Sequence, residues 1–343
     1  MKRYFFVTVK IAIISVYIIF LTGSIVRMTG SGMGCPDWPK CFGYYIPPTS
    51  EQQILWKPNT KYKKGSIIVK DKALFVAEKD IKTNRYFKPS NWSKYTKHSY
   101  AKFNKYHTWT EYINRLASVL AGFVFLFLIY GSTKFWNTNK TVVIIAYSAF
   151  ALMLFEAWLG KIVVDTNLKP IVITAHMLGG LLIIALLLYL YFKIAKQPEK
   201  KHRYNSLFSR LLLVLLVFIT VQIILGTQVR QFIDQQIKFF GFENKKYSLM
   251  NPSFVFYFHR SFTIAIVLLS LVVFYLNQIK DLGYGLVSLV VFLIFLETLS
   301  GILMYYINFP FGTQAVHLLG GALLFGLQFY LYLQGRRSKM VFK

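Results

Sequence analysis

The chain has 343 residues, 55% of them hydrophobic and 18% aromatic, with only 15% charged. That balance excludes an ordinary soluble domain. The formal charge of +27 would suit nucleic acid, but the basic residues cluster between apolar stretches. They read as membrane-surface anchors, so lipid is the expected surroundings and no nucleic-acid partner is expected.

A bilayer core takes roughly 20 mostly apolar residues per helix. Eight stretches meet that length, at about 9–29, 111–132, 141–162, 168–192, 207–229, 253–277, 283–307 and 312–334. The first follows Lys2 and Arg3 and lacks a small-x-small cleavage site, so it reads as a retained helix, not a signal peptide. No Arg/Ser-rich leader precedes it, which points to a bacterial cytoplasmic (inner) membrane over a mitochondrial one. Short basic segments mark the cytoplasmic side: Lys2, Arg3 and Lys10; Lys196, Lys200, Lys201 and Arg203; Arg336, Arg337 and Lys339. Both termini and the 193–210 loop are therefore expected inside.

The long first loop, about 31–108, falls outside although it is rich in lysine. Loops beyond about 60 residues translocate largely regardless of charge. It carries both cysteines, Cys35 and Cys41. In an oxidising compartment their spacing fits a disulfide, by default a structural staple, though spacing does not separate a staple from an exchangeable pair. Within 61–79, Lys64-Gly65, Ser66-Ile67-Ile68-Val69, Lys70-Asp71-Lys72 and Ala73-Leu74-Phe75-Val76-Ala77 alternate turn and strand signals. With Asn91-Trp92 they faintly resemble a carbohydrate-binding β module. A hairpin capping the helices is the preferred reading.

The chain also repeats itself. Gly23-Ser24-Ile25-Val26-Arg27 closes the first helix and Gly226-Thr227-Gln228-Val229-Arg230 the fifth. Asn114-Arg115 in helix two matches His259-Arg260 in helix six, and Glu156 with Gly160 in helix three matches Glu297 with Gly301 in helix seven. Helix four reads Ala175-His176-Met177-Leu178-Gly179-Gly180 where helix eight reads Val316-His317-Leu318-Leu319-Gly320-Gly321. Each unit has an even number of helices, so both insert in the same sense and a pseudo-twofold along the membrane normal relates them. The expected fold is an all-α integral membrane protein of eight transmembrane helices. It forms two pseudo-twofold-related four-helix bundles, 1–195 and 196–343, with a long extracytoplasmic first loop.

Ionisable groups inside a membrane are costly and by default mark function. Of the six histidines, His98, His107 and His202 fall in loops or at a helix start and read as solvated. His176, His259 and His317 lie within apolar helices, each about two turns below the outer surface. His259 and His317 share one bundle, and a facing histidine pair is a common way to hold a haem iron on both sides. Zinc would want a third ligand or a cysteine, and neither joins the pair. Gly320-Gly321 would give a flat macrocycle room near the backbone. Arg230 and Arg260, with Arg27 and Arg115, are candidate propionate partners by position. The blander reading is that the histidines only bond helices together.

In the first half, Asn114 stands where the second has His259. A haem there would keep one strong ligand, His176. Glu111 lies three residues before Asn114 on the same helix face, suited to proton transfer or to stabilising the helix start. The repeat-equivalent Glu156 and Glu297 read as fold-stabilising acids before proton relays.

The run Val26-Arg27-Met28-Thr29-Gly30-Ser31-Gly32-Met33-Gly34-Cys35-Pro36-Asp37-Trp38-Pro39-Lys40-Cys41 resembles the heme A synthase family (CtaA type). So do Glu111-Tyr112-Ile113-Asn114-Arg115, Phe258-His259-Arg260 and the two His-containing Gly-Gly motifs. The likeness covers nearly the whole chain except about 57–95. It implies an enzyme that oxidises the C8 methyl of heme O to a formyl group, giving heme A, and a functional link to heme O synthase and cytochrome oxidase assembly. The family's heme b cofactor maps onto His259 and His317, its substrate-side histidine onto His176, its important acid onto Glu111, and its cysteine pair onto Cys35 and Cys41. Asn114 departs from the family pattern, in which many members have histidine.

Rival readings are a cytochrome b electron carrier, a haem chaperone or transporter, and an ion-coupled transporter using Glu156 and Glu297. Two equivalent doubly ligated haems would suit the carrier, and Asn114 speaks against them. A homo-oligomer is left open.

Overall fold

The computed structural model describes residues 2–71, 73–96, 103–166, 168–195, 202–241 and 247–341. His98, Lys196, Lys200 and Lys201, singled out above, lie outside the described residues. Eight long helices follow in order: α1 (Lys2–Met28), α2 (Lys105–Ser132), α3 (Lys140–Asp165), α4 (Pro170–Ile194), α5 (Ser206–Phe240), α6 (Phe254–Ile279), α7 (Leu286–Tyr306) and α8 (Thr313–Val341). All eight are long and apolar enough to cross a membrane. Their outward faces expose large side chains such as Phe123, Phe127, Phe155, Trp158, Leu268, Phe292 and Phe295. In water each would forfeit about 25 cal/mol per Å² of apolar surface; against lipid tails that cost disappears. The chain is a multi-pass membrane protein.

Helix ends differ from the expected ones where polar residues carry the helix beyond its apolar run. α2 begins at Lys105, well before 111, because the Asn104 side chain accepts from the N–H groups of Tyr106 and His107. α5 continues to Phe240 instead of stopping near 229. Its added turns carry Arg230, Gln231 and Asp234, which bond to other helices. Much of the expected 230–252 loop is therefore helix.

The helices close into two rings in the same order. α1 packs on α2 and α4, with α3 bridging those two; α5 packs on α6 and α8, with α7 bridging those. The rings abut where α1 and α4 meet α8, and α4 also meets α5. One apolar core runs through both, from Val9, Ala12 and Val16 on α1 to Ala322, Phe325 and Leu331 on α8. The Tyr17 hydroxyl occupies the space where Gly326 has no side chain, so α1 and α8 approach closely there.

The outer loop carries five short strands, β1 (Lys61–Tyr62), β2 (Ile67–Lys70), β3 (Ala73–Ala77), β4 (Ile81–Lys82) and β5 (Trp92–Lys94). β2, β3 and β5 form an antiparallel sheet in the order β2-β3-β5, and β1 pairs with β4. The element is more than the single hairpin expected, and both faces of its sheet are covered. Ile67 and Val69 pack with Phe42 and Ile54; Ile68, Ala77 and Trp92 pack with Trp56, Tyr62, Phe75 and Phe87. Those aromatics pack against one another, three pairs edge to face and Phe87 stacked on Trp92. Trp92 is buried, and the other four are partly buried against it.

Candidate functional site: paired histidines and acids

In the second ring His259 on α6 and His317 on α8 face each other, with ring centroids 6.5 Å apart and planes 79° apart. Two imidazoles bound to one metal ion from opposite sides, with metal–nitrogen bonds of about 2.0 Å, would put their centroids about 6.3 Å apart. The donor set and its spacing fit a group gripped from both faces. The backbone beneath His259 is fixed by Gln222 on α5, whose amide donates to the His259 carbonyl at 2.9 Å and to Thr263 at 2.8 Å. Nδ1 of His259 is buried without a partner. Gly226 flanks its ring, and a Cβ there would stand 3.2 Å from it.

His317 is held differently. Its Nδ1 lies 2.8 Å from Ser300 Oγ and 3.2 Å from a Glu297 carboxylate oxygen. The acid reaches that position because Gly320 leaves a notch: a Cβ there would collide with the Glu297 carboxylate. This corrects the expectation that Gly320-Gly321 opens space for a macrocycle. The acid fills the notch at Gly320, and Gly321 lies against the same carboxylate and Ile223.

The first ring repeats the arrangement with one member changed. His176 Nδ1 stands 2.6 Å from a Glu156 oxygen, with the ring N–H aimed off the line to it. A Cβ at Gly179 would collide with the Glu156 carboxylate. Gly160 flanks His176 as Gly301 flanks His317. In place of His259 the ring has Asn114, whose Oδ1 accepts from Thr22 on α1 at 2.7 Å and lies 3.7 Å from where a Gly23 Cβ would be.

At the outer end Glu111 is buried and bonded to two donors. It accepts from Arg115 at 2.5 Å and from the Cys35 N–H at 2.9 Å. Arg115 also donates to the carbonyls of Asp37, Lys40 and Cys35. It is committed to the outer loop, which corrects its reading as a propionate partner. Cys35 and Cys41 are joined in a disulfide. Between them Asp37 accepts from the N–H groups of Phe42 and Gly43, at 2.6 and 2.8 Å. Burial lifts the Asp37 carboxyl above its usual pKa, against the opposing pull of those N–H groups and of Arg115.

The remaining arginines also differ from their expected placement. Arg27 and Arg230, both candidate propionate partners by position, instead bond Asp234, at 2.5 and 2.9 Å. Arg230 further donates to Gln314 at 2.5 Å and to the Arg27 carbonyl at 3.0 Å. Arg260 lies on the second ring's outer edge against Tyr305 and Tyr306, donating to the Tyr306 hydroxyl at 3.2 Å.

Sequence reasoning missed Asp234, Ser300 and the notch role of Gly179 and Gly320. An acid four residues after Arg230 in an apolar helix was a readable signal for Asp234. The shared 20-residue spacing of each Glu–His pair was visible too, but spacing does not show which face of a neighbouring helix a side chain meets.

A family model described as "COX15-CtaA: Cytochrome oxidase assembly protein" matches residues 6–329. A protein named heme A synthase from Wolbachia pipientis subsp. Culex pipiens is 24% identical over 330 residues, covering 90% of each chain. Its namesake from Wolbachia pipientis wMel is 24% identical over 361 residues, 98% of this chain and 95% of that one. Similarity to a heme A synthase of Shewanella oneidensis, 26% over 184 residues, covers 54% of this chain and 44% of that protein, under half of its length.

Proposed function

The chain belongs to the COX15-CtaA family of cytochrome oxidase assembly proteins, and from that premise we propose that it is a heme A synthase. It oxidises the C8 methyl group of heme O to a formyl group. The observation that carries this reading beyond family likeness is the asymmetry between the rings: His259 and His317 face each other at 6.5 Å, whereas Asn114 faces the first ring where His259 would be.

In this reading the second ring, within 196–343, holds a heme b cofactor between His259 and His317. When bound, that group supplies one-electron transfer. The first ring, within 1–195, takes heme O through His176. The Thr22 hydroxyl holds the Asn114 amide in place, and an amide oxygen is a poor axial ligand, so the far side of the substrate stays accessible. Glu111, one turn from Asn114 on α2, is the carboxylate that accepts a proton released there. Arg115 and the Cys35 N–H balance its charge. Both termini lie in the cytoplasm of a bacterial inner membrane, and the 31–108 loop lies outside.

The test is co-expression with a heme O synthase, followed by extraction and separation of the haems. Heme A is expected, and heme O left unchanged would overturn the proposal. A His176→Ala variant that forms heme A at the wild-type rate would overturn the assignment of the substrate to the first ring.

A further inference from the structure

Two shielded carboxylates in a membrane protein, Glu156 buried and Glu297 largely so, demand partners, because an isolated charge there costs several kcal/mol. Each stands against the histidine 20 residues further on, Glu297 3.2 Å from His317 Nδ1 and Glu156 2.6 Å from His176 Nδ1, the latter without a hydrogen bond. Each pair stands beside a glycine three residues past its histidine, Gly320 or Gly179, where any side chain would collide with the acid. The same three-part arrangement in both rings concerns the histidines directly, since one ring nitrogen faces the acid and the other is left for a ligand.

The protonation of His317 follows from its neighbours. The Ser300 hydroxyl donates to the Glu297 carbonyl at 2.9 Å, so its oxygen meets His317 Nδ1, at 2.8 Å, as an acceptor. The Glu297 carboxylate on the same side also only accepts. With the Ser300 hydroxyl turned to that carbonyl and Glu297 ionised, Nδ1 carries the hydrogen and Nε2 keeps its lone pair. A carboxylate behind a coordinating imidazole fixes the tautomer, aims the ring and raises ligand basicity.

We infer that Glu297 and Glu156 are positioning residues for the haem-ligating histidines His317 and His176, and that Gly320 and Gly179 are the notches that admit their carboxylates. The inference rests on the haem reading above. The two rings differ in one respect: Leu159 stands at the register of Ser300, so His176 depends on Glu156 alone while His317 has a second acceptor.

The experiment uses the full-length protein purified with its haem. It compares wild type with Glu297→Gln, Gly320→Ala and Gly321→Ala. Two quantities are read: the midpoint potential of the low-spin haem, and the rate at which haem passes to apomyoglobin. Loss of the carboxylate in Glu297→Gln, or its expulsion in Gly320→Ala, raises the potential and speeds haem loss by about 10- to 100-fold. Gly321→Ala stays at wild type, because a Cβ there would meet the Glu297 carboxylate and Ile223 only at ordinary van der Waals distances, 3.7 and 4.0 Å, and expels neither. A general loosening of helix packing would not move the potential of a retained haem. Glu297→Gln at the wild-type potential overturns the inference, as do Gly320→Ala and Gly321→Ala behaving alike. A wild-type protein without a bis-histidine spectrum overturns the haem reading, and this inference with it.

Discussion

Arg230 donates to the backbone carbonyl of Arg27 at 3.0 Å, and both guanidinium groups close on the carboxylate of Asp234. These arginines occupy matching positions in the two repeats, Arg27 in the last turn of α1 and Arg230 ten residues before the end of α5, so one acid ties the two rings together. All three side chains are partly shielded, at 20–28% exposure, and removing the acid would leave two like charges facing each other. Asp234→Ala is expected to lower stability by about 1–3 kcal/mol, below the cost of breaking a fully buried pair because water reaches this one. Thermal unfolding in detergent measures it, and an unchanged midpoint would show that the clamp contributes nothing.

Asn114 marks the departure between the rings. Asn114→His puts an imidazole beside Gly23, as His259 stands beside Gly226. A second low-spin haem signal is expected by EPR in the variant loaded with heme O, together with at least a tenfold fall in heme A formation. Unchanged spectra with unchanged turnover would show that position 114 does not face the substrate.

Gly34 is required by a backbone contact. A Cβ there would strike the His107 and Thr108 backbone at the start of α2, which has no flexible atom to yield. Thr108 also donates to the Gly34 carbonyl at 2.8 Å. Gly34→Ala should therefore push the Cys35–Cys41 segment off α2 and break the Cys35–Glu111 bond, lowering both protein yield and heme A formation. Faster cleavage of the outer loop by an added protease, relative to wild type, would report the displacement directly.

His202 was expected to be a solvated loop residue. It stacks on Tyr284, ring centroids 4.3 Å apart, with Nδ1 3.1 Å from the Gly283 carbonyl. Burial holds its imidazole below the usual histidine pKa, more than the Gly283 carbonyl raises it. The unfolded chain therefore binds the proton more readily. Its contribution to stability is full above the usual histidine pKa of about 6.5 and is lost as pH falls through the range below it. His202→Phe keeps the stack and removes the titration. The difference in unfolding midpoint between variant and wild type should widen in the variant's favour as pH falls from about 8 to 5, and a constant difference would refute the assignment.

Much of the architecture was legible because a bilayer leaves few options. Eight apolar stretches of sufficient length had to become eight helices, since only intrahelical bonds satisfy the backbone in lipid. Position also singled out His259 and His317, because ionisable residues are rare inside such stretches. The helix ends at Lys105 and Phe240 were less legible, since capping by Asn104 and the ring-to-ring bonds of Asp234 carry helices beyond their apolar runs. The arginines were read by height in the membrane, which says nothing of partners. Only the fold shows that Arg115 is committed to the loop carbonyls and that Arg27 meets Arg230.

By itself, then, the sequence determined the membrane setting, the number of spans and which residues were too polar to be there by accident. Those follow from solvation, which acts on each segment locally. Tertiary structure alone decided which polar group answers which: Glu297 to His317 through the notch at Gly320, Glu156 to His176 through Gly179, and Asp234 to arginines from both rings. Those pairings depend on how helices far apart in the chain rotate and approach, and short-range contacts set by packing carry no signature in one strand of residues.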